Sequence, residues 1–269
     1  MSGFTLRLKQ QPALRVDLRG VMPTALAALS IAEVERFSVG HGNTLVPLAE
    51  FFHIAARDDA ALVFAADLRR FDRVGWQMDG GQLIVEGAVG DYAGACMTSG
   101  EIAVHGDAGE LAACEMAGGT LTIDGNAGDF AASTLPGSMD GMRGGTLVVK
   151  GNAGTRFGDR MRRGTAVVHG DAGDFLASRM VAGTIALGGR AGAHAGYGMR
   201  RGSVIFAGPA PEPSPTFVSA IADASVFWQL LARNLARHGG AFAGLPSRAI
   251  DRWLGDLAAD GKGEWIVAR

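Results

Sequence analysis

From Met78 onward, hydrophobic and polar positions recur in a short fixed pattern. Cutting the chain before Met78, Met97, Met116, Met142, Met161, Met180 and Met199 gives seven self-similar units. Their fourth residues are all glycine (Gly81, Gly100, Gly119, Gly145, Gly164, Gly183 and Gly202), spaced by 19 residues except for one interval of 26. The sixth and eighth residues are apolar in every unit, from Leu83 and Val85 to Val204 and Phe206. This alternation, followed by Gly-x-Ala-Gly or a close variant, has the period of a strand and a turn, and no 3.6-residue stripe accompanies it. One such unit cannot bury its own apolar face. Stacked copies can, each strand pairing with its equivalents about 4.8 Å above and below. The pattern predicts a mainly β fold: a right-handed parallel β-helix of about seven 19-residue coils over residues 78–208.

Within this frame, the seven methionines form a column of flexible core fillers. The extra residues of the third unit, near Ser133 to Gly141, read as a surface loop. Glycines such as Gly87 and Gly90 mark turns needing positive φ or close backbone approach. Asp107, Asn126, Asn152 and Asp171 share one turn position and should stack as a ladder, as residues that tolerate left-handed geometry. The seventh position points outward by the strand period, yet holds Ile84, Ala103, Thr122, Val148, Val167, Ala186 and Ile205. Another element or a neighbouring protein is expected to cover that stripe.

A stack of strands has two open ends that must be capped. Residues 1–77 are expected to form an α/β cap: strands over Phe4–Leu8 and Leu14–Leu18, a helix over Thr24–Ala32, and a degenerate first coil after Leu45. Residues 209–269 begin with the proline-rich linker Pro209 to Pro215. A helix should follow, with Val218, Ile221, Phe227, Leu230, Leu231 and Leu235 on one face, and then a second helix from Ser247 through Asp256. The fold class is therefore a β-helix with an N-terminal α/β cap and C-terminal helices.

Composition narrows the chemistry. Of 269 residues 41 are glycine, without the period of three of collagen. Two cysteines, Cys96 and Cys114, no Cys-x-x-Cys pair and no apolar N-terminal run predict a cytoplasmic protein with no membrane span. The two cysteines read as small buried thiols. The formal net charge is only −2, but it is unevenly placed. Residues 78–141 hold ten acidic and no basic side chains, whereas residues 142–208 hold ten basic and three acidic ones. Arginines recur in columns: Arg143, Arg162 and Arg200 at position two, Arg163 and Arg201 at three, Arg160 and Arg179 at nineteen. Stacked like charges repel, so a counter-charge is expected beside them. The acidic half and the lack of interleaved aromatics disfavour nucleic acid. The six histidines form no metal-ligand pair, and no nucleophile elbow or phosphate-binding loop occurs. No catalytic or metal-binding residue is predicted.

The spacing Gly-x-x-Gly-x-x-x-Gly, as in Gly87, Gly90, Gly94 or Gly151, Gly154, Gly158, resembles the glycine repeat of two families. One is the C-terminal β-helix of the glutamate synthase large subunit. The other is the C subunit of formylmethanofuran dehydrogenase, with that of the related bacterial formyltransferase/hydrolase complex. The length of the chain, its short N-terminal cap and its tail around Trp253 to Glu264 are more similar to the second family. That resemblance implies a non-catalytic scaffold subunit in one-carbon metabolism and methylotrophy. Its partners would be the A, B and D subunits of a hetero-oligomeric complex, the first amidohydrolase-like and the last a formyltransferase. The complex would use a methanofuran-type carrier and tetrahydromethanopterin, neither held by this chain as its own cofactor. The other family implies a free-standing domain coupling two active sites. For the arginine columns, the resemblance adds a specific expectation besides contacts with neighbouring subunits: Arg162, Arg163, Arg200 and Arg201 attract the polyglutamate tail of a methanofuran-type carrier.

Overall fold

The computed structural model describes residues 3–220 and 225–269. β1 (Gly3–Leu8) and β2 (Val16–Asp17) precede two short helices, α1 (Pro23–Leu26) and α2 (Ile31–Glu35), followed by β3 (Ser38–His41), β4 (Thr44–Pro47), β5 (Phe52–Arg57), β6 (Leu62–Ala65) and β7 (Phe71–Asp72). The single helix expected over Thr24–Ala32 is thus two. The break falls at Ser30, whose N–H donates to the Glu33 carboxylate at 2.8 Å to start the second helix. β2, β3, β4 and β7 form a small four-stranded sheet, while β1 lies between β5, antiparallel, and β6, parallel. β6 pairs in parallel with Leu83–Val85 of the first repeat.

The repeat strands are β8 (Asp79–Val85), β9 (Ser99–Val104), β10 (Thr120–Ile123), β11 (Arg143–Val149), β12 (Arg163–Val168), β13 (Thr184–Leu187) and β14 (Ser203–Phe206). Together with β6 they make the parallel body of a 13-stranded sheet. Their register follows the repeat: Leu83, Ile102, Leu121, Leu147, Ala166, Ile185 and Val204 stand in one row. A second ladder of parallel bridges runs through Leu68, Val89, Ala108, Ala127, Ala153, Ala172 and Ala191. On a third side, Ala113, Ala132, Gly158, Ala177 and Gly196 each donate to a carbonyl of the preceding repeat at 2.8–2.9 Å. Positions six and eight are buried throughout, and all seven repeat methionines have no exposed surface. Each buried side chain of this size contributes about 1.5–3 kcal/mol.

The fourth-position glycines are where glycine is needed for its backbone. Their φ angles lie between +78° and +101°, and a Cβ on Gly119 would sit 2.5 Å from the methyl of Met97. Gly87 and Gly90 are required by close approach instead, because a Cβ on either meets the backbone of the preceding repeat within 3 Å.

The ladder of Asp107, Asn126, Asn152 and Asp171 forms, but not through left-handed backbone. Each side-chain oxygen accepts the N–H at the equivalent position of the next repeat: Asn126, Asn152, Asp171 and Arg190, at 2.7–2.8 Å. A second ladder, not anticipated, does the same from Asp91, Asp129 and Asp174 to Glu110, Thr155 and Ala193. The left-handed residues lie elsewhere, among them Tyr92, Leu111, Phe130, Arg156, Phe175 and His194, one repeat apart.

The C-terminal segment differs most from expectation. After β15 (Val218–Ser219), one helix, α3 (Ser225–Ala236), folds back over the outward stripe, and Trp228, Ala232 and Leu235 bury Val167, Ala186 and Ile205. Phe227 and Leu230, expected on the packed face, are exposed; Ile221 lies outside the described residues. The stripe at Ile84, Ala103 and Thr122 stays half-buried. The second C-terminal helix, expected from Ser247 through Asp256, is instead a strand, β16 (Ile250–Gly255), paired antiparallel with β17 (Gly263–Ala268). The physical reason is the open edge of β14, whose unpaired backbone groups β17 satisfies by parallel pairing, with Ile205 beside Ile266. Among the described residues, no helix is long and apolar enough to cross a membrane.

Candidate functional site

The arginine columns emerge at one corner of the stack for a local reason. Those at positions two and three lie between a buried methionine and a positive-φ glycine, so the chain turns outward for two residues only. The Arg162 and Arg200 N–H groups donate to Met142 and Met180 of the preceding repeats, both at 2.8 Å, and this holds the corner in register. The repeat between them carries Val181 and Ala182 at the same two positions. Two arginine pairs are thereby separated by a small apolar floor, roughly 10 Å apart at two strand spacings.

The result is a cleft of about 520 Å³ lined by Arg143, Arg162, Arg163, Arg200, Arg201, Val181, Ala182 and Asp140. All four arginines singled out from the sequence are brought together here, and all are exposed. Their charges are unequally compensated. Arg162 pairs with Asp140 (2.5 Å), and Arg143 with Glu115 (3.2 Å). Among the described residues, Arg163, Arg200 and Arg201 have no carboxylate partner. The third arginine column does not contribute: Arg179 is held at 2.8 Å by the buried Asp159, with Arg160 nearby at 3.9 Å. Asp140 escaped sequence reasoning. It lies in the loop that interrupts the repeat, and the place of that loop, just before the first arginine repeat, was the available signal.

Chemically, the cleft can collect anionic groups. Several exposed guanidiniums attract carboxylates or phosphates through individually weak, salt-screened pairs. Elsewhere several titratable groups are tied into structure. His105 contacts Asp124 at 2.7 Å and Lys150 meets the same carboxylate at 2.6 Å. Burial raises the thiol pKa of both Cys96 and Cys114, which keeps them protonated and poorly nucleophilic. No three His, Cys, Asp or Glu side chains among the described residues come together as metal ligands would.

No family model matches the chain. It is 34% identical over 100 residues to the C subunit of the tungsten-containing formylmethanofuran dehydrogenase 2 of Methanothermobacter wolfeii, a match covering 35% of this chain and 37% of that protein. It is 44% identical over 86 residues to the C subunit of the formyltransferase/hydrolase complex Fhc of Methylorubrum extorquens, 32% of either chain. The matched segment thus spans only about a third of the length of these curated relatives. The structural likeness runs further. A chain in the crystal structure of the formyltransferase/hydrolase complex FhcABCD from Methylorubrum extorquens, in complex with methylofuran, superposes with a TM-score of 0.92 and 42% identity, covering 98% of this chain and 99% of that one.

Proposed function

Because the chain belongs to the family formed by the C subunits of formylmethanofuran dehydrogenases and formyltransferase/hydrolase complexes, we propose that it is the non-catalytic scaffold of such a complex. In this reading residues 78–208 are a right-handed parallel β-helix of about seven coils, residues 1–77 cap its start, and residues 209–269 supply the linker and terminal cap. The partners are the A, B and D subunits, the first amidohydrolase-like and the last a formyltransferase. The assembled complex moves formyl groups between tetrahydromethanopterin and a methanofuran-type carrier and releases formate in the cytoplasm. The observation carrying this reading is the end-to-end correspondence with one chain of a complex that contains a furan carrier.

The cleft gives the scaffold a task. A carrier with a polyglutamate tail presents a row of carboxylates, and Arg162, Arg163, Arg200 and Arg201 present a matching row of cations on a stiff stack. Each exposed pair contributes about 0.2–1 kcal/mol, so the tail is held by their sum and released readily. Such a tether keeps a reacting head group near successive active sites without fixing it at one of them.

Purification of the assembled complex followed by mass spectrometry tests the scaffold role. Co-purifying amidohydrolase-like and formyltransferase chains support it, and a flavoprotein amidotransferase overturns it. Charge reversal of all four arginines to glutamate tests the cleft: use of the long-tailed carrier should fall about tenfold or more, and a carrier lacking glutamates should be almost unaffected. An assembled four-fold variant that keeps the wild-type preference for long tails refutes the tether.

A further inference from the structure

The loop that breaks the repeat places one carboxylate inside an otherwise cationic cleft. Gly141 fastens the loop to the stack: its N–H donates to Arg160 at 3.0 Å, and a Cβ there would lie 2.6 Å from the Asp159 carbonyl. Further back, the Leu135 N–H donates to Glu115 at 3.2 Å. Between these anchors the chain turns Asp140 toward Arg162, and both side chains remain substantially exposed, at 37% and 46%. Among the described residues, Asp140 is the only acidic one lining the cleft.

We infer that Asp140 is a built-in competitor: its carboxylate holds the place on Arg162 that a carboxylate of the bound chain would take, and must be displaced before a polyanion engages the whole arginine set. This rests on the reading of the cleft as a polyglutamate site. The competitor and the ligand share one functional group, so the exchange is carboxylate for carboxylate and leaves Arg162 paired before and after. Because the pair is exposed, it is weak and displaced easily. It also makes the cleft directional. Arg163, Arg200 and Arg201 are open to an arriving chain, and Arg162 is engaged last. A resident carboxylate thus limits how tightly the tail is held, as a tether that must let go requires.

The test titrates fluorescently labelled hexaglutamate into the full chain, in the assembly in which it purifies, and follows anisotropy at low and physiological salt, with labelled hexaglutamine as control. Asp140→Asn should bind hexaglutamate about two- to five-fold more tightly, the range of one exposed ion pair. Asp140→Glu, which retains the charge, should stay near wild type. Glu110→Gln makes the same change of net charge outside the cleft and should have little effect. Wild-type affinity in Asp140→Asn, or an equal gain in Glu110→Gln, overturns the competitor while leaving the cleft reading standing. If neither the wild type nor Asp140→Asn binds hexaglutamate better than hexaglutamine, the cleft reading fails and the competitor with it.

Discussion

At Gly109 the spacing between repeats leaves no room for a side chain, which sets the size of a decisive perturbation. A Cβ there would lie 2.2 Å from Oδ1 of Asp91 and 2.8 and 2.9 Å from C and O of Gly90. The Gly109 N–H also donates to the carbonyls of Val89 and Gly90, both at 3.1 Å, so the turn cannot retreat without losing those bonds. In Gly109→Val the branched side chain forces two repeats apart. Overpacking of this kind costs about 1–3 kcal/mol, and a weakened backbone hydrogen bond adds about 1 kcal/mol. A total of about 3 kcal/mol lowers the melting temperature of a chain of this size by roughly 6–12 °C. Asp129→Asn is the matched control one repeat on. Its side-chain oxygen accepts the Thr155 N–H at 2.7 Å, and asparagine keeps that oxygen, so the change stays within about 0.5 kcal/mol. Thermal melts of the two variants, followed by circular dichroism, decide the matter. Equal melting temperatures would show that the repeats do not approach closely at this turn.

Two further outcomes concern the C-terminal arm. Trp228→Ala should uncover Val167, Ala186 and Ile205, cost about 3–5 kcal/mol and increase binding of a hydrophobic dye; unchanged dye binding would mean that the helix does not seal the stripe. Below the arm, His169 packs edge-on against Phe242 with ring centroids 5.2 Å apart, and burial holds its pKa below the ordinary value, helped by the nearby His238 and Lys150; burial lowers His238 as well. A native pKa below the unfolded one means that the unfolded chain binds the extra protons. Stability from these histidines is therefore complete above about pH 6.5 and is lost as pH falls toward the lowered native values. Protection factors of the Ser225–Ala236 amides, corrected for the pH dependence of intrinsic exchange, should fall over that window, and His169→Gln with His238→Gln should flatten the response; an unchanged pH response in the double variant refutes the assignment.

The repeat body was legible in the sequence because every contact that defines it recurs at a fixed offset. The methionine column, the buried sixth and eighth positions and the row from Leu83 to Val204 follow from one unit and its copy. The arginine columns were legible for the same reason: residues at equal repeat positions must stack at one corner. Tertiary structure decided whatever lacks that period. Asp140 sits in an insertion with no counterpart in other repeats, so its meeting with Arg162 depends on how the loop folds back. The six residues of β16 are too short for periodicity to separate strand from helix, and the choice was made by the unpaired edge of β14, which β17 and then β16 extend. The outward stripe announced a cover without identifying it. Only the path of the chain after its proline-rich linker shows that Trp228, Ala232 and Leu235 cover Val167, Ala186 and Ile205 while Ile84, Ala103 and Thr122 stay half-open. Local sequence dictates which faces must be buried, but what buries them depends on contacts between segments far apart in the chain, which no short-range pattern encodes.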